Sequence, residues 1–80
     1  MTINILAFGI AKEILGGAVA GVNVAEGVAV EDLKGKLEQQ FPRLRELKSF
    51  MIAVNGAYAK PGQMISSNDE VAIIPPVSGG

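Results

Sequence analysis

The spacing of apolar residues predicts one main helix near the middle of the chain. Apolar side chains recur at Val30, Leu33, Leu37 and Phe41, and this three-four-four spacing places them on one side of a helix. Pro42 follows, and the residue before a proline avoids the α conformation, so we expect the helix to span residues 30–41. Glycine at position 35 weakens the helix by about 1 kcal/mol relative to alanine, so it must depend on tertiary packing.

Short apolar runs on both sides of this helix predict five strands, at residues 2–8, 18–24, 50–54, 57–59 and 70–74. Asn55-Gly56 is a strong signal for a two-residue hairpin. A short helix is predicted over residues 9–15, with Ile10, Ile14 and Leu15 facing inward. One long helix covering one face of a mixed sheet makes an α+β roll, and the first and last strands are expected to pair in its middle.

Alternation within the strands divides their side chains between two faces. If Ile3 and Ile5 face the helix, then Leu6 and Phe8 face outward. The same parity turns Ala72 and Ile74 outward in the last strand. Tyr58 is expected to join them, giving an apolar patch that suggests a partner surface, although scattered apolar surface residues are ordinary. The residues predicted to be buried together are Ile3, Ile5, Leu33, Leu37, Val71 and Ile73.

The last strand leads directly into an unusual C-terminal segment, Pro75-Pro76-Val77-Ser78-Gly79-Gly80. Each proline fixes its own φ and favours extended geometry before it, so the stem is expected to be stiff. The two glycines leave the tip without side chains, as suits close approach to another backbone. We therefore expect residues 75–80 to form a tail reaching about 20 Å from a single domain that spans residues 1–80. A frayed terminus is the alternative.

Composition excludes several classes of function. The 80 residues carry a net charge of −1 with no basic block, so nucleic-acid binding is not expected. No apolar run approaches the length of a membrane span, and no secretory signal is visible, so we expect no membrane association and a cytoplasmic location. The chain has no Cys and no His, which removes the thiol nucleophile, the imidazole base and the usual metal ligands. It is therefore not expected to be an enzyme on its own.

The chain resembles the small subunits of molybdopterin synthase, which belong to the ubiquitin-like β-grasp sulfur carriers. The resemblance spans essentially the whole chain and includes the helix ending before Pro42 and the segment Ala53-Val54-Asn55-Gly56. Residues 69–80, DEVAIIPPVSGG, are its most specific part. The pair of prolines favours the molybdopterin branch over the thiazole-forming carriers. Residues 16–29 match only loosely, and Ala29 stands where Ser or Thr would cap the helix better.

This resemblance implies a chemistry centred on the terminal carboxylate. An E1-like enzyme uses ATP to adenylate Gly80, and a sulfur donor protein converts the acyl-adenylate to a thiocarboxylate. The tail, including Gly79, then enters the large synthase subunit and gives its sulfur to a pterin precursor in molybdenum cofactor biosynthesis. The assembly is expected to contain two small and two large subunits. No permanently bound cofactor or metal is implied.

The resemblance also implies which residues contact the partner. Phe8, Tyr58 and Ile74 occupy the positions of the partner-facing apolar residues, and Lys12 stands where family members often have Arg. The expected partner-binding residues are Phe8, Lys12, Tyr58, Ile74, Pro75, Pro76, Val77 and Ser78. Two alternatives remain open: a ubiquitin-like protein modifier or a carrier for tRNA or thiazole thiolation, and a binding module whose tail is inert.

Overall fold

The structure, a computed structural model, describes residues 1–47 and 49–75. Five strands in these ranges form one mixed sheet in the order β2-β1-β5-β3-β4. Parallel pairing of β1 with β5 places the first and last strands at the centre, which confirms the prediction. The other neighbouring strands pair antiparallel. The strands are β1 (Thr2–Ala7), β2 (Val19–Asn23), β3 (Met51–Val54), β4 (Ala57–Tyr58) and β5 (Val71–Ile74).

Two α-helices and a short 3-10 helix lie between these strands: α1 (Ile10–Leu15), α2 (Val30–Gln40) and the 3-10 helix Pro42–Glu46. The main helix, α2, ends one residue earlier than predicted, and Phe41 follows it. Ala29 provides no side-chain cap. Instead, the backbone N–H groups of Val30 and Glu31 donate to the carbonyls of Gln63 and Pro61 at 2.8 and 3.0 Å. The loop before β5 thus satisfies the helix start, which would otherwise carry unpaired donors.

The core lies between α2 and the inner face of the sheet. The helix contributes Leu33 and Leu37, and the two central strands contribute two residues each, all no more than 2% exposed. Complete burial of one such side chain stabilises the fold by about 1.5–3 kcal/mol. The prediction that Ile3, Ile5, Leu33, Leu37, Val71 and Ile73 are buried together is confirmed.

The short helix α1 is oriented differently from the prediction. Ile10 was expected to face inward, but it is 40% exposed, while Ala11 and Leu15 are buried. Ala11 and Leu15 are four residues apart and share one side of the helix. Ile14 is half-buried against the core. The prediction was wrong for Ile10 because four apolar residues in six positions, Ala11 among them, allow more than one inward side.

Candidate partner-binding surface at the root of the tail

The outer face of the sheet carries the apolar side chains that parity predicted. Phe8 is 53% exposed and Tyr58 is 65% exposed, while Ile74 is half-buried. In the described residues, α2 packs on the opposite face, where its buried side chains join those of the strands. The exposure of these aromatic side chains follows from that one-sided layering.

Phe8, Tyr58 and Ile74 come together in one groove with a volume of about 440 Å³. The register explains why: Leu6 pairs with Ala72 in the central ladder, and Ala53 pairs with both Ala72 and Tyr58. Small residues at the centre leave a depression between the two aromatic rings. The lining consists of Phe8, Ala53, Gly56, Ala57, Tyr58, Glu70, Ala72 and Ile74.

The other predicted contact, Lys12, lies outside this groove. It is exposed on α1 and borders a separate, open depression with Gly9 and Glu13. Gly9 lies close to Pro75, since a Cβ built on Gly9 would lie 3.9 Å from Cγ of Pro75. The β1–α1 junction therefore adjoins the root of the tail. Gly9 has a φ of 55°, a conformation that residues with a side chain rarely adopt.

A hydrogen-bond network fixes the loop that precedes β5. Asn55, at a φ of 53° in the hairpin turn, donates through Nδ2 to Oδ1 of Asp69 at 2.9 Å. Its Oδ1 accepts from the backbone N–H of Glu70 at 2.9 Å. The backbone N–H of Ser66 donates to Oδ2 of Asp69 at 2.8 Å. This bond and the amide of Asn55 stabilise the carboxylate and hold the pKa of Asp69 below its ordinary value of 3.8.

Two residues on the outer face of the sheet were not identified from the sequence. Met51 pairs with Ile74 across the β3–β5 ladder and is 48% exposed. Glu70 lines the groove and is the one charged residue among its described lining residues. Strand alternation could have predicted both positions. Phe50, Ile52 and Val54 face inward, so Met51 faces outward. Glu70 has the same parity as Ala72 and Ile74.

Most of the predicted tail lies outside the described residues. Pro75 is half-buried, whereas Pro76, Val77, Ser78, Gly79 and Gly80 are not described, and their roles stay predictions. In the described ranges, no group of three or more His, Cys, Asp or Glu side chains could hold a metal ion. Within the same residues, no helix has the length and apolarity needed to cross a membrane.

The fold and strand order define a ubiquitin-like β-grasp protein, as predicted. SAMP1 from Haloferax volcanii, a small archaeal modifier protein, has the same fold, with a TM-score of 0.81, 27% identity and complete coverage of both chains. The ThiS family matches residues 5–80, so the chain belongs to this family.

Curated relatives agree with the resemblance seen in the sequence. The chain is 33% identical over 79 residues to the molybdopterin synthase sulfur carrier subunit of Arabidopsis thaliana, a match that covers 98% of this chain and 82% of the relative. It is 36% identical over 80 residues to the protein of the same name from Mycobacterium tuberculosis, with coverage of 98% and 96%. These matches confirm the predicted membership among β-grasp sulfur carriers.

Proposed function

We propose that this chain is the sulfur-carrier subunit of molybdopterin synthase, and that the carboxylate of Gly80 carries the sulfur as a thiocarboxylate. The observation that carries the proposal is the similarity to curated sulfur carrier subunits over 98% of the chain. The Pro-Pro-Val-Ser-Gly-Gly sequence directly after the central strand β5 supports it further.

In this proposal the terminal carboxylate must first be activated. It is ionised at pH 7 and is a poor electrophile. An E1-like enzyme joins it to the AMP part of ATP, and pyrophosphate leaves. A sulfur donor protein then supplies sulfur at the oxidation level of sulfide, which attacks the acyl carbon and displaces AMP. The sulfur of the resulting thiocarboxylate attacks a carbon of the pterin precursor, and water hydrolyses the thioester so formed, so the sulfur stays on the pterin and Gly80 returns to a carboxylate.

The chain's own residues position the tail rather than perform the chemistry. The tail begins where β5 ends, and β5 is hydrogen-bonded to strands on both sides, so its end is a firm anchor. The groove of Phe8, Tyr58 and Ile74 lies beside this anchor and is proposed to bind the large synthase subunit. Lys12 and Pro75 extend the contact, and Pro76, Val77 and Ser78 carry Gly79 and Gly80 into the large subunit's active site.

The assembly, the cofactor use and the location of the proposed carrier follow from this chemistry. The chain acts as a donor subunit and not as an enzyme by itself, in an assembly of two small and two large subunits. It holds no cofactor permanently, since ATP is used by the activating partner. Its place of action is the cytoplasm, and neither nucleic acid nor membrane takes part.

A second candidate is a ubiquitin-like modifier of proteins or a carrier for another thiolation pathway, such as that of tRNA or thiazole. It is favoured by the 27% identity and TM-score of 0.81 to SAMP1, a small archaeal modifier protein. The two candidates share the activated Gly80 but differ in the acceptor. A pterin-binding large subunit that co-purifies with the chain supports the first candidate, and covalent adducts on other proteins support the second.

The proposed function is tested by reconstitution from purified components. The chain is incubated with an activating enzyme, ATP and a sulfur source, and then with the large subunit and the pterin precursor. We expect conversion of the pterin with the wild-type chain and none when ATP is omitted. Thiocarboxylate formation without pterin conversion would reject the synthase assignment and leave the second candidate.

A further inference from the structure

Glu70 brings a single negative charge to a groove that is otherwise mostly apolar. Its side chain is exposed and lines the groove together with Tyr58, Ala72 and Ile74. A carboxylate beside apolar surface must stay hydrated or find a cationic partner when another protein covers it. A partner that covers the groove must therefore supply a cation to Glu70 or leave its carboxylate hydrated, in addition to making apolar contacts.

The backbone of Glu70 is held in place before any partner arrives. Its N–H donates to Oδ1 of Asn55 at 2.9 Å, and its carbonyl accepts from the backbone N–H of Asn55 at 2.7 Å. Asp69, immediately before it, is bonded to both Asn55 and Ser66. Little backbone entropy is lost when such a residue enters an interface, so its charge is well suited to fixing orientation.

The charge of the groove is asymmetric, because Glu70 is the one charged residue among its described lining residues. Glu70 precedes β5 and lies about 13 Å along the strand from Ile74 at ~3.3 Å per residue. Lys12 and Glu13, which have opposite charges, lie past the other end and outside the groove, because α1 follows the carboxyl end of β1, which runs parallel to β5. The apolar side chains of Phe8 and Ile74 lie between Glu70 and this helix. This asymmetry distinguishes one docking orientation from its reverse.

We propose that the partner which covers this groove presents an Arg or Lys side chain to Glu70, and that this ion pair sets the orientation of docking. The inference rests on the proposed function, since the partner is taken to be the large synthase subunit. Electrostatic complementarity of this kind increases the association rate and disfavours wrong registers. Glu70 is thus a specificity-determining residue of the interface, separate from the apolar contacts.

The test measures binding of the large subunit to the full chain and to three variants, by surface plasmon resonance at low and at high salt. Glu70→Lys reverses the charge, and Glu70→Gln removes it with little change of shape. Glu46→Lys is the matched control, because it makes the same change of charge at an exposed position on the 3-10 helix. Circular dichroism and thermal unfolding establish that each variant is folded.

At low salt we expect Glu70→Lys to weaken binding by more than about tenfold, mainly through slower association, and Glu70→Gln to weaken it less. High salt should reduce these differences, because it shortens the screening length to about 3 Å at 1 M. Glu46→Lys should bind like the wild type. Wild-type binding by a folded Glu70→Lys would overturn the inference and leave the proposed function intact. Failure of the wild-type chain to bind would reject the proposed function and the inference with it.

Discussion

The side-chain amide of Asn55 donates a hydrogen bond of 2.9 Å to the carboxylate of Asp69, fourteen residues further along the chain. This bond ties the β3–β4 hairpin to the loop that leads into β5. The strand that bears the tail is therefore fixed at its beginning by a turn whose geometry depends on Asn55. This hydrogen bond leads to two predictions about the stability of the fold.

The first prediction concerns Asn55 itself. Its positive φ of 53° and its side-chain bonds to Asp69 and Glu70 both favour asparagine. Asn55→Ala loses both bonds and strains the backbone, so we expect a cost of about 2 kcal/mol in the free energy of unfolding. Asn55→Gly loses the bonds without the strain and should cost about 1 kcal/mol. Urea unfolding measures both, and equal stability of the wild type and both variants would contradict the role given to this turn.

The second prediction is a pH dependence of stability. Hydrogen bonds from Ser66 and Asn55 hold the pKa of Asp69 below its ordinary value of 3.8, so the folded state favours the ionised carboxylate. The stabilisation is fully present above the unfolded-state pKa and is lost as the pH falls through the lower folded-state pKa. Urea unfolding at several pH values from 6 down to 3 should show the advantage of the wild type over Asp69→Asn shrinking below about pH 4. A difference that stays constant with pH would show that the carboxylate's charge is not what the network stabilises.

The third prediction concerns the apolar groove. Phe8→Glu places an unpaired charge where the partner is proposed to bind, and burying it there is costly. We expect binding of the large subunit to weaken by more than about tenfold. The fold should be nearly unaffected because Phe8 is 53% exposed. The measurement is isothermal titration calorimetry alongside thermal unfolding.

Met64→Glu is the control for this change. Met64 is 65% exposed, and it lies in the loop before β5, paired with Ala29 at the start of α2 and absent from the residues that line the groove. It should bind normally. Equal loss of binding in both variants would indicate a general effect of added charge, and no loss with Phe8→Glu would place the interface elsewhere.

Most of the fold could be predicted from the periodicity of apolar residues, because this periodicity shows which side of a helix or strand is buried. The stripe of Leu33 and Leu37 and the parity of Ile3 and Ile5 both predicted their burial correctly. Alternation also predicted that Phe8, Tyr58 and Ile74 share one surface, and all three line the same groove. Asn55-Gly56 predicted the hairpin, and both residues have the positive φ that such a turn requires.

Features that depend on contacts distant in sequence could not be read in the same way. The start of α2 is satisfied by carbonyls of Pro61 and Gln63, which no local pattern near Ala29 indicates. The bonds of Asn55 to Asp69 and Glu70 likewise join segments that only the ladder between β3 and β5 brings together. The orientation of α1 was missed at Ile10 because so short a helix has no repeated stripe.

The fourth prediction concerns the tip of the tail, where the proposed chemistry occurs. Deletion of Gly80 withdraws the carboxylate by about 3.3 Å, and reactive geometry is sensitive to displacements of about 1 Å. Gly79→Val adds a branched side chain where a channel would admit only backbone, and it restricts φ. We expect both variants to lose sulfur transfer while their thermal unfolding stays close to that of the wild type.

Intact-mass spectrometry after incubation with the activating enzyme, ATP and a sulfur source tests the central claim most directly. The account predicts that the wild-type chain gains the mass difference between one sulfur and one oxygen atom, at its C-terminus and only when ATP is present. It also predicts that the chain without Gly80 and the Gly79→Val variant stay at their starting mass. A wild-type chain that never acquires sulfur, or variants that acquire it and support pterin conversion at the normal rate, would contradict the proposal that Gly80 is the sulfur carrier.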